Sequence, residues 1–130
     1  MHDLIAAAKA ARLKAHAPYS QFLVGAAMRD EHGRIHAGCN IENAAYPQGW
    51  CAEPSAISAL IMAGGRRITE VAVMGNGEAL CTPCGGCRQK IREFAAPDVR
   101  IHCCTEAGVL IQSFTLEELL PFSFGPENLA

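Results

Sequence analysis

The chain lacks the features that would direct it to a membrane or to a nucleic acid. Its 130 residues carry a net charge of only −2 with a pI of about 6.2, so no basic excess attracts phosphate backbones or anionic lipids. No apolar run approaches the length that spans a bilayer, and Met1-His2-Asp3-Leu4 lacks the basic start of a signal peptide. We therefore expect a cytoplasmic protein with neither a nucleic acid nor a membrane as a partner.

Aromatic and charged residues are also scarce. Aromatic residues make up 6% of the chain, and this composition does not offer the basic groove with stacking rings that binds single-stranded nucleic acid. Charged residues make up 18% while half of the chain is apolar, which excludes a chain that is disordered by composition. The length suits one domain with a real core, so residues 1–130 are expected to form a single domain.

Apolar spacing and turn residues divide the chain into segments in the order α-β-β-α-β-α-β-β-α. Helices interleaved with strands predict an α/β or α+β layered domain, and the early hairpin with later parallel crossovers predicts a mixed sheet. Pro97-Asp98 is expected to end the third helix. The expected helices are residues 4–15, one beginning near Pro54, 84–95 and 115–120, and the expected strands are 22–28, 34–40, 69–76, 99–105 and 110–114.

Cysteine, in contrast, is abundant, with seven residues. A secreted disulfide scaffold would use such cysteines in pairs, but the count is odd, the chain is large enough to fold without cross-links, and no export signal is visible. Cys39, Cys103 and Cys104 stand in strand-like runs and are expected to be small buried apolar residues. At least three of the remaining thiols are better explained as metal ligands.

Two segments carry these candidate ligands: Cys51-Ala52-Glu53, and Cys84-Gly85-Gly86-Cys87 with Pro83 before it. Cys84 and Cys87, at positions i and i+3, lie on one side of a helix that starts near Cys84. Two residues turn about 200° around a helix axis, so Cys51 and Glu53 converge only over a helix tip. We infer two helix N-termini that face one metal, and their positive partial charge favours thiolates.

Three thiolates leave one position open on a four-coordinate zinc ion, and this is typical of catalytic zinc. Glu53 is then a candidate proton carrier beside the open position. Two other interpretations remain. A redox-active CxxC would have no use for Glu53, and a structural zinc site would need a fourth ligand, for which Cys81 is the candidate.

The same segments resemble the signature of the zinc-dependent cytidine deaminase family, in its small, homotetrameric form. Cys51-Ala52-Glu53 and the run from Pro83 to Gln89 carry this resemblance. It implies a three-layer α-β-α sandwich with a five-stranded sheet, and one zinc ion per subunit held by Cys51, Cys84 and Cys87. In this class zinc activates a water that attacks C4 of cytosine, and a glutamate that is not a ligand, here Glu53, moves the protons.

Further segments resemble the family and imply substrate contacts. Phe22 would pack on the pyrimidine ring, Asn40 and Glu42 would hold the sugar, and the backbone near Ala52 would meet the pyrimidine edge. Tyr46 would line the pocket or a subunit contact, and Phe124 would complete the pocket of a neighbouring subunit in a homotetramer. From the residues alone, Phe22 also fits a core position, Asn40 and Glu42 a solvated strand end, and Phe124 a residue docked on its own core.

One position departs from the family. Its small three-cysteine members usually carry arginine directly after the catalytic glutamate, whereas this chain has Pro54. Three thiolates and Zn²⁺ sum to a charge of −1, and excess negative charge raises the pKa of zinc-bound water. Arg88 and the N–H groups of the helix tips are the candidates for offsetting this charge.

The expected function is the hydrolytic deamination of cytidine, and of 2′-deoxycytidine, to the uracil nucleoside and ammonia in pyrimidine salvage. The expected partner is thus a small nucleoside. The alternatives are a deaminase of another aminopyrimidine nucleoside or nucleoside-like antibiotic, a nucleic-acid-editing deaminase, and a zinc-stabilised binding module without catalysis.

Overall fold

Five strands and four α-helices alternate along residues 1–129, which the computed structural model describes; the domain predicted over residues 1–130 extends one residue beyond them. The helices are α1 (His2–Arg12), α2 (Ala52–Met62), α3 (Gly85–Arg92) and α4 (Leu116–Leu119). The strands are β1 (Gly25–Asp30), β2 (Ile35–Cys39), β3 (Ile68–Met74), β4 (Ala95–Cys104) and β5 (Leu110–Thr115). Short 3₁₀ turns cover Tyr46–Gln48 and Pro126–Asn128.

The strands form one mixed sheet in the order β2-β1-β3-β4-β5. β3 and β4 are parallel, while the β1–β2, β1–β3 and β4–β5 pairs are antiparallel. Gly25 at the start of β1 pairs with both Cys39 and Met74. The carboxyl ends of β2 and β3 therefore lie at the same edge of the sheet.

Alternating residues of the strands supply two apolar layers, as the period of a strand requires. On one face α1 packs through Leu4, Ile5 and Ala8 against residues that include Ala27 and Met74. The other face, with α2, α3 and α4, buries a larger cluster that includes Ala26, Val71, Val73, Ile101, Ala56, Leu60, Ile91 and Leu116. This arrangement confirms the predicted three-layer α-β-α sandwich. Within residues 1–129, no helix is long and apolar enough to cross a bilayer.

Two glycines let the helices on either face approach the sheet. A Cβ on Gly25 would lie 2.2 Å from the carbonyl oxygen of Ala8 in α1, and a Cβ on Gly38 would lie 2.4 Å from the backbone nitrogen of Ala56 in α2. Both distances are far inside van der Waals contact, so a side chain at either position would force the backbones apart. Gly38 in particular sets the height of α2 above the sheet.

Several predicted boundaries were wrong. The first helix ends at Arg12 and not at residue 15, and β4 begins at Ala95 and not at residue 99. The first strand was expected over residues 22–28, but β1 begins at Gly25, because the backbone of residues 21–24 bonds to side chains instead of a neighbouring strand. The third helix was expected to reach Ala95, but it ends at Arg92 and Ala95 already pairs with Ile68 in the sheet. Pro97 lies in β4 where the pairing skips from Ala95 to Arg100, an irregularity that tolerates proline.

Candidate metal centre and active site

The N-termini of α2 and α3 meet at the sheet edge where β2 and β3 end. Cys51 is the N-cap residue of α2, and Cys84 is the N-cap residue of α3. Cys87 lies in the first turn of α3 and is buried. The helices begin within three residues of the positions that Pro54 and Pro83 indicated. Both helix dipoles thus present their positive ends to the cysteines.

The three thiols form a group suited to a metal ion. The Sγ atoms of Cys51, Cys84 and Cys87 all lie within 4.8 Å of one another. The Sγ atoms of Cys84 and Cys87 are 3.2 Å apart, too far for a disulfide, and all seven cysteines are free. Three converging sulfurs are a donor set that zinc prefers, and they leave a fourth position for water. Cys81, the candidate fourth ligand of a structural site, lies outside this group.

The pKa values of Cys51 and Cys87 are shifted in opposite directions. Hydrogen bonding from Cys87, then from Cys84, lowers the pKa of Cys51 to about 6 despite its partial burial, and the positive charge of Lys90 acts in the same direction. The same bond to Cys51, together with burial, raises the pKa of Cys87 well above its usual range. Cys51 is therefore more readily ionised than Cys87, and a lowered pKa suits a metal ligand at a helix N-terminus.

Glu53 lies in the first turn of α2 and is only 4% exposed. Burial raises its pKa to about 7, and the negative charge of Cys51 adds to this rise. A carboxyl group that titrates near neutral pH can both accept and donate protons under physiological conditions. Glu53 lines a cavity of about 170 Å³ with the residues Val24, Asn40, Cys51, Ala52, Cys81, Thr82, Cys84 and Cys87.

Two basic residues of α3, Arg88 and Lys90, make different contacts near the site. Arg88 donates hydrogen bonds to the carbonyl oxygens of Pro83 and Leu119 and to Oγ1 of Thr82, at 2.6, 2.7 and 2.8 Å. These bonds fix the segment before Cys84 on α4. The charge that acts on both Cys51 and Glu53 is that of Lys90, whose Nζ lies 4.7 Å from the ring centroid of Trp50.

Only some of the residues predicted to contact the substrate line this cavity. Asn40 and Ala52 line it, whereas Glu42 and Tyr46 line a separate cavity of about 390 Å³ together with Tyr19, Ser20, Asn43 and Gly49. Phe124 is 56% exposed and lines neither of these two cavities.

Phe22 is 41% exposed, and its ring lies near Cys81. Both side chains pack over Gly75. If Gly75 had a Cβ atom, that atom would lie within 3.0 Å of both the Phe22 Cζ atom and the Cys81 Sγ atom. Cys81 lines the cavity of Glu53, so the ring borders that cavity through Cys81.

Asn40 and Glu42 both bind the segment of residues 17–24, which we call the Phe22 loop. The amide of Asn40 accepts a bond from the Val24 N–H (2.9 Å) and donates one to the Phe22 carbonyl oxygen (2.8 Å). The carboxylate of Glu42 accepts bonds from the backbone N–H groups of Tyr19 and Ser20 and from the Ser20 hydroxyl. The Ser20 hydroxyl bond lowers the pKa of Glu42. Each side chain retains further hydrogen-bonding capacity.

The sequence interpretation missed two residues. Lys90 stands three positions after Cys87, on the same side of α3, and this spacing could have identified it. Asn76 follows β3 and bonds to the Phe22 loop. No local pattern marks it, because its partners are more than fifty residues away in the sequence.

The family model described as "Cytidine and deoxycytidylate deaminase zinc-binding region" matches residues 1–103. This match includes all three cysteines of the metal centre and Glu53. A layered α-β-α fold with three converging cysteines and a buried carboxyl group at two helix tips, together with this match, defines a zinc-dependent hydrolytic deaminase that holds one zinc ion.

Known cytidine deaminases resemble the chain over almost its whole length. That of Sporosarcina psychrophila is 42% identical over 130 residues, 100% of this chain and 95% of the relative. That of Halalkalibacterium halodurans is 38% identical over 126 residues, 97% of this chain and 95% of the relative. A crystal structure of cytidine deaminase from Burkholderia pseudomallei gives a TM-score of 0.87 at 41% identity, over 95% of this chain and 98% of that one. The chain therefore belongs to the cytidine and deoxycytidylate deaminase family.

Proposed function

We propose that residues 1–130 form a single catalytic domain that deaminates cytidine and 2′-deoxycytidine to uridine and 2′-deoxyuridine, within pyrimidine salvage. The observation that carries this proposal is the buried carboxyl group of Glu53, whose pKa is about 7, in one cavity with three thiols suited to zinc. Relatives at 42% and 38% identity are cytidine deaminases. The reaction consumes one water, places its oxygen on C4 and releases the amino group as ammonia.

Cys51, Cys84 and Cys87 would hold the zinc ion, which would supply a nucleophile at neutral pH by lowering the pKa of a water molecule. We assign the proton movements to Glu53. Its carboxylate accepts a proton from the attacking water, and its carboxyl group donates a proton to N3 of the pyrimidine, which makes C4 electrophilic. Glu53 then takes the remaining proton from the hydroxyl group on C4 and delivers it to the amino group, which leaves as ammonia while C4 becomes a carbonyl carbon. The backbone of Ala52, at the start of α2, is assigned to the pyrimidine edge.

Four side chains would hold the substrate. Phe22 would pack on the pyrimidine ring, while Asn40 and Glu42 would bind the sugar hydroxyls with the donors and acceptors that the Phe22 loop leaves free. Tyr46 is assigned to the sugar side of the pocket, because it lines the same cavity as Glu42. Both ends of the nucleoside would then contact elements at the sheet edge that carries the zinc ligands.

We infer that the working form is a homotetramer in which Phe124 completes a neighbouring subunit's pocket. Several large apolar side chains support this, because they are exposed in the single chain: Tyr46, Leu110, Ile111, Phe122 and Phe124. The free state of all seven cysteines supports a reducing compartment, the cytoplasm.

The test is release of ammonia from cytidine by the purified protein, with zinc content measured in parallel before and after chelation. We expect turnover and one zinc per chain before chelation, loss of both afterwards, and recovery of both when zinc is returned. The same assay on 2′-deoxycytidine, other aminopyrimidine nucleosides and nucleoside-like antibiotics gives the substrate range. A zinc-loaded protein that leaves cytidine intact would contradict the proposal.

A further inference from the structure

In the Phe22 loop, the residue directly before Phe22 has a strained backbone conformation. Gln21 has φ = +61°, a left-handed conformation that is uncommon for a residue other than glycine. Such a conformation persists only where the surrounding structure enforces it. The contacts on either side of Gln21 therefore decide where the Phe22 ring lies.

Asn76 grips the backbone on both sides of Phe22. Its Nδ2 donates to the carbonyl oxygen of Gln21 at 2.9 Å, and its Oδ1 accepts from the N–H of Leu23 at 3.1 Å. One amide thus satisfies the two backbone groups that flank Phe22, in a segment with no strand partner. This geometry fixes the orientation of the peptide units before and after Phe22.

Arg12 in turn holds Asn76. The guanidinium is buried and donates to Oδ1 of Asn76 and, at 3.2 Å, to the carbonyl oxygen of Leu23. It also donates to the carboxylate of Glu106 at 3.0 Å. Glu106 is fixed to the loop after β3, because its carboxylate accepts a hydrogen bond from the N–H of Gly77 and its own N–H donates to the Gly77 carbonyl oxygen.

We propose that Asn76, supported by Arg12, is a positioning residue that sets the Phe22 ring against the pyrimidine pocket and so contributes to nucleoside affinity. This inference rests on the proposed function, in which Phe22 contacts the substrate. Asn76 acts through the loop backbone and takes no part in proton transfer, because the zinc ligands and Glu53 stand on α2 and α3. Loss of the Asn76 amide should weaken substrate binding and leave the chemical step largely unchanged.

A double-mutant cycle with Phe22→Ala and Asn76→Ala tests this positioning. Each single substitution should raise the KM for cytidine about three- to tenfold, the range for weakening one aromatic contact, with little change in kcat. The double variant should add little to the effect of Phe22→Ala alone, because both substitutions remove the same contact. KM does not depend on the fraction of folded enzyme, so a loss of stability alone would leave it unchanged.

Glu31→Ala is the matched control. Its carboxylate also clamps a loop, by accepting from the backbone N–H groups of Arg66 and Arg67, but far from the metal centre. It should lower the melting temperature and leave KM at the wild-type value. A similar rise in KM for Glu31→Ala, or strictly additive effects in the cycle, would overturn the proposal.

Hydrogen exchange supplies a readout that does not need turnover. The Leu23 amide should exchange faster in Asn76→Ala than in the wild type, whereas amides of the β3–β4 pair should keep their protection. An unchanged rate at Leu23 would overturn the role of Asn76 even if cytidine were not the substrate. An unchanged KM in Phe22→Ala would also overturn it, while deamination itself would still be judged by ammonia release.

Discussion

A carboxyl group that is 4% exposed, like that of Glu53, is expensive to keep ionised. Its place at the start of α2 partly offsets that cost, since Glu53 accepts a hydrogen bond from its own backbone N–H, which lowers its pKa. Burial and the nearby Cys51 act in the opposite direction and hold the pKa at about 7. At the scale of single residues, this balance gives Glu53 the pKa that the proposed proton transfers in both directions require.

Glu53→Gln should lower kcat by at least about 10²–10⁴-fold, the usual contribution of one general acid–base step, since Glu53 serves several. Glutamine has nearly the same shape and cannot carry the proton, so the zinc content should stay at one per chain. Both quantities are measured on the same preparation. Near-normal turnover with full zinc would remove Glu53 from the reaction.

The sequence predicted the three cysteines of the metal centre, because their spacing is itself the chemical signal. Cys84 and Cys87 are one helical turn apart, and Cys51 with Glu53 brackets a helix tip, so local geometry alone brings the groups together. Asn76 and Arg12 could not be found in this way. Their roles depend on partners 53 and 64 positions away in the sequence, which only the folded chain brings into contact.

At the scale of elements, the height of α2 above β2 determines where Cys51 and Glu53 stand. Ser55 donates from its hydroxyl to the carbonyl oxygen of Cys39 at 3.0 Å, which ties the first turn of α2 to the end of β2. Gly38 makes this close approach possible, because a Cβ there would collide with the backbone of α2.

Gly38→Ala should reduce the free energy of unfolding by about 1–3 kcal/mol, the usual cost of overpacking, and should also lower the retention of zinc as α2 shifts outward. Thermal unfolding and metal analysis after dialysis measure the two effects. Ala37→Val adds bulk at the exposed neighbouring position and serves as the control. Equal zinc retention in both variants would contradict a role for Gly38 in placing α2.

The element order was predictable, whereas several boundaries were not. Capping signals are local, and Thr115 with Glu118 forms the capping box that starts α4 at the expected place. The start of β1 and the extent of β4 depend on side-chain clamps and on an irregular pairing around Pro97. Neither feature has a periodic signature in the sequence.

At the scale of the whole molecule, the proposed homotetramer would cover large apolar side chains that are exposed in the single chain. Tyr46 is 77% exposed, and Phe124 projects from a C-terminal segment that Gln89 of α3 ties down through a 3.0 Å bond to the Phe124 carbonyl oxygen. An exposed aromatic ring on a fixed backbone is poised to contact another subunit.

Sedimentation should give a mass about four times the chain mass of 13.9 kDa. Phe124→Ala should lower kcat/KM about tenfold, the order expected for losing one aromatic contact in a shared pocket. Phe122→Ala, in the same segment, is the matched control and should affect activity less. A fully active monomer would exclude a pocket completed across subunits.

The two helix tips that supply Cys51, Glu53, Cys84 and Cys87 have a consequence for how such a protein can diversify. The reactive groups sit on rigid caps, whereas the pocket walls come from the connections that precede those caps and from the Phe22 loop. Insertions or exchanges in those connections can reshape substrate choice without disturbing the caps. Evolution can thus change the substrate specificity while the residues at the two helix tips stay the same.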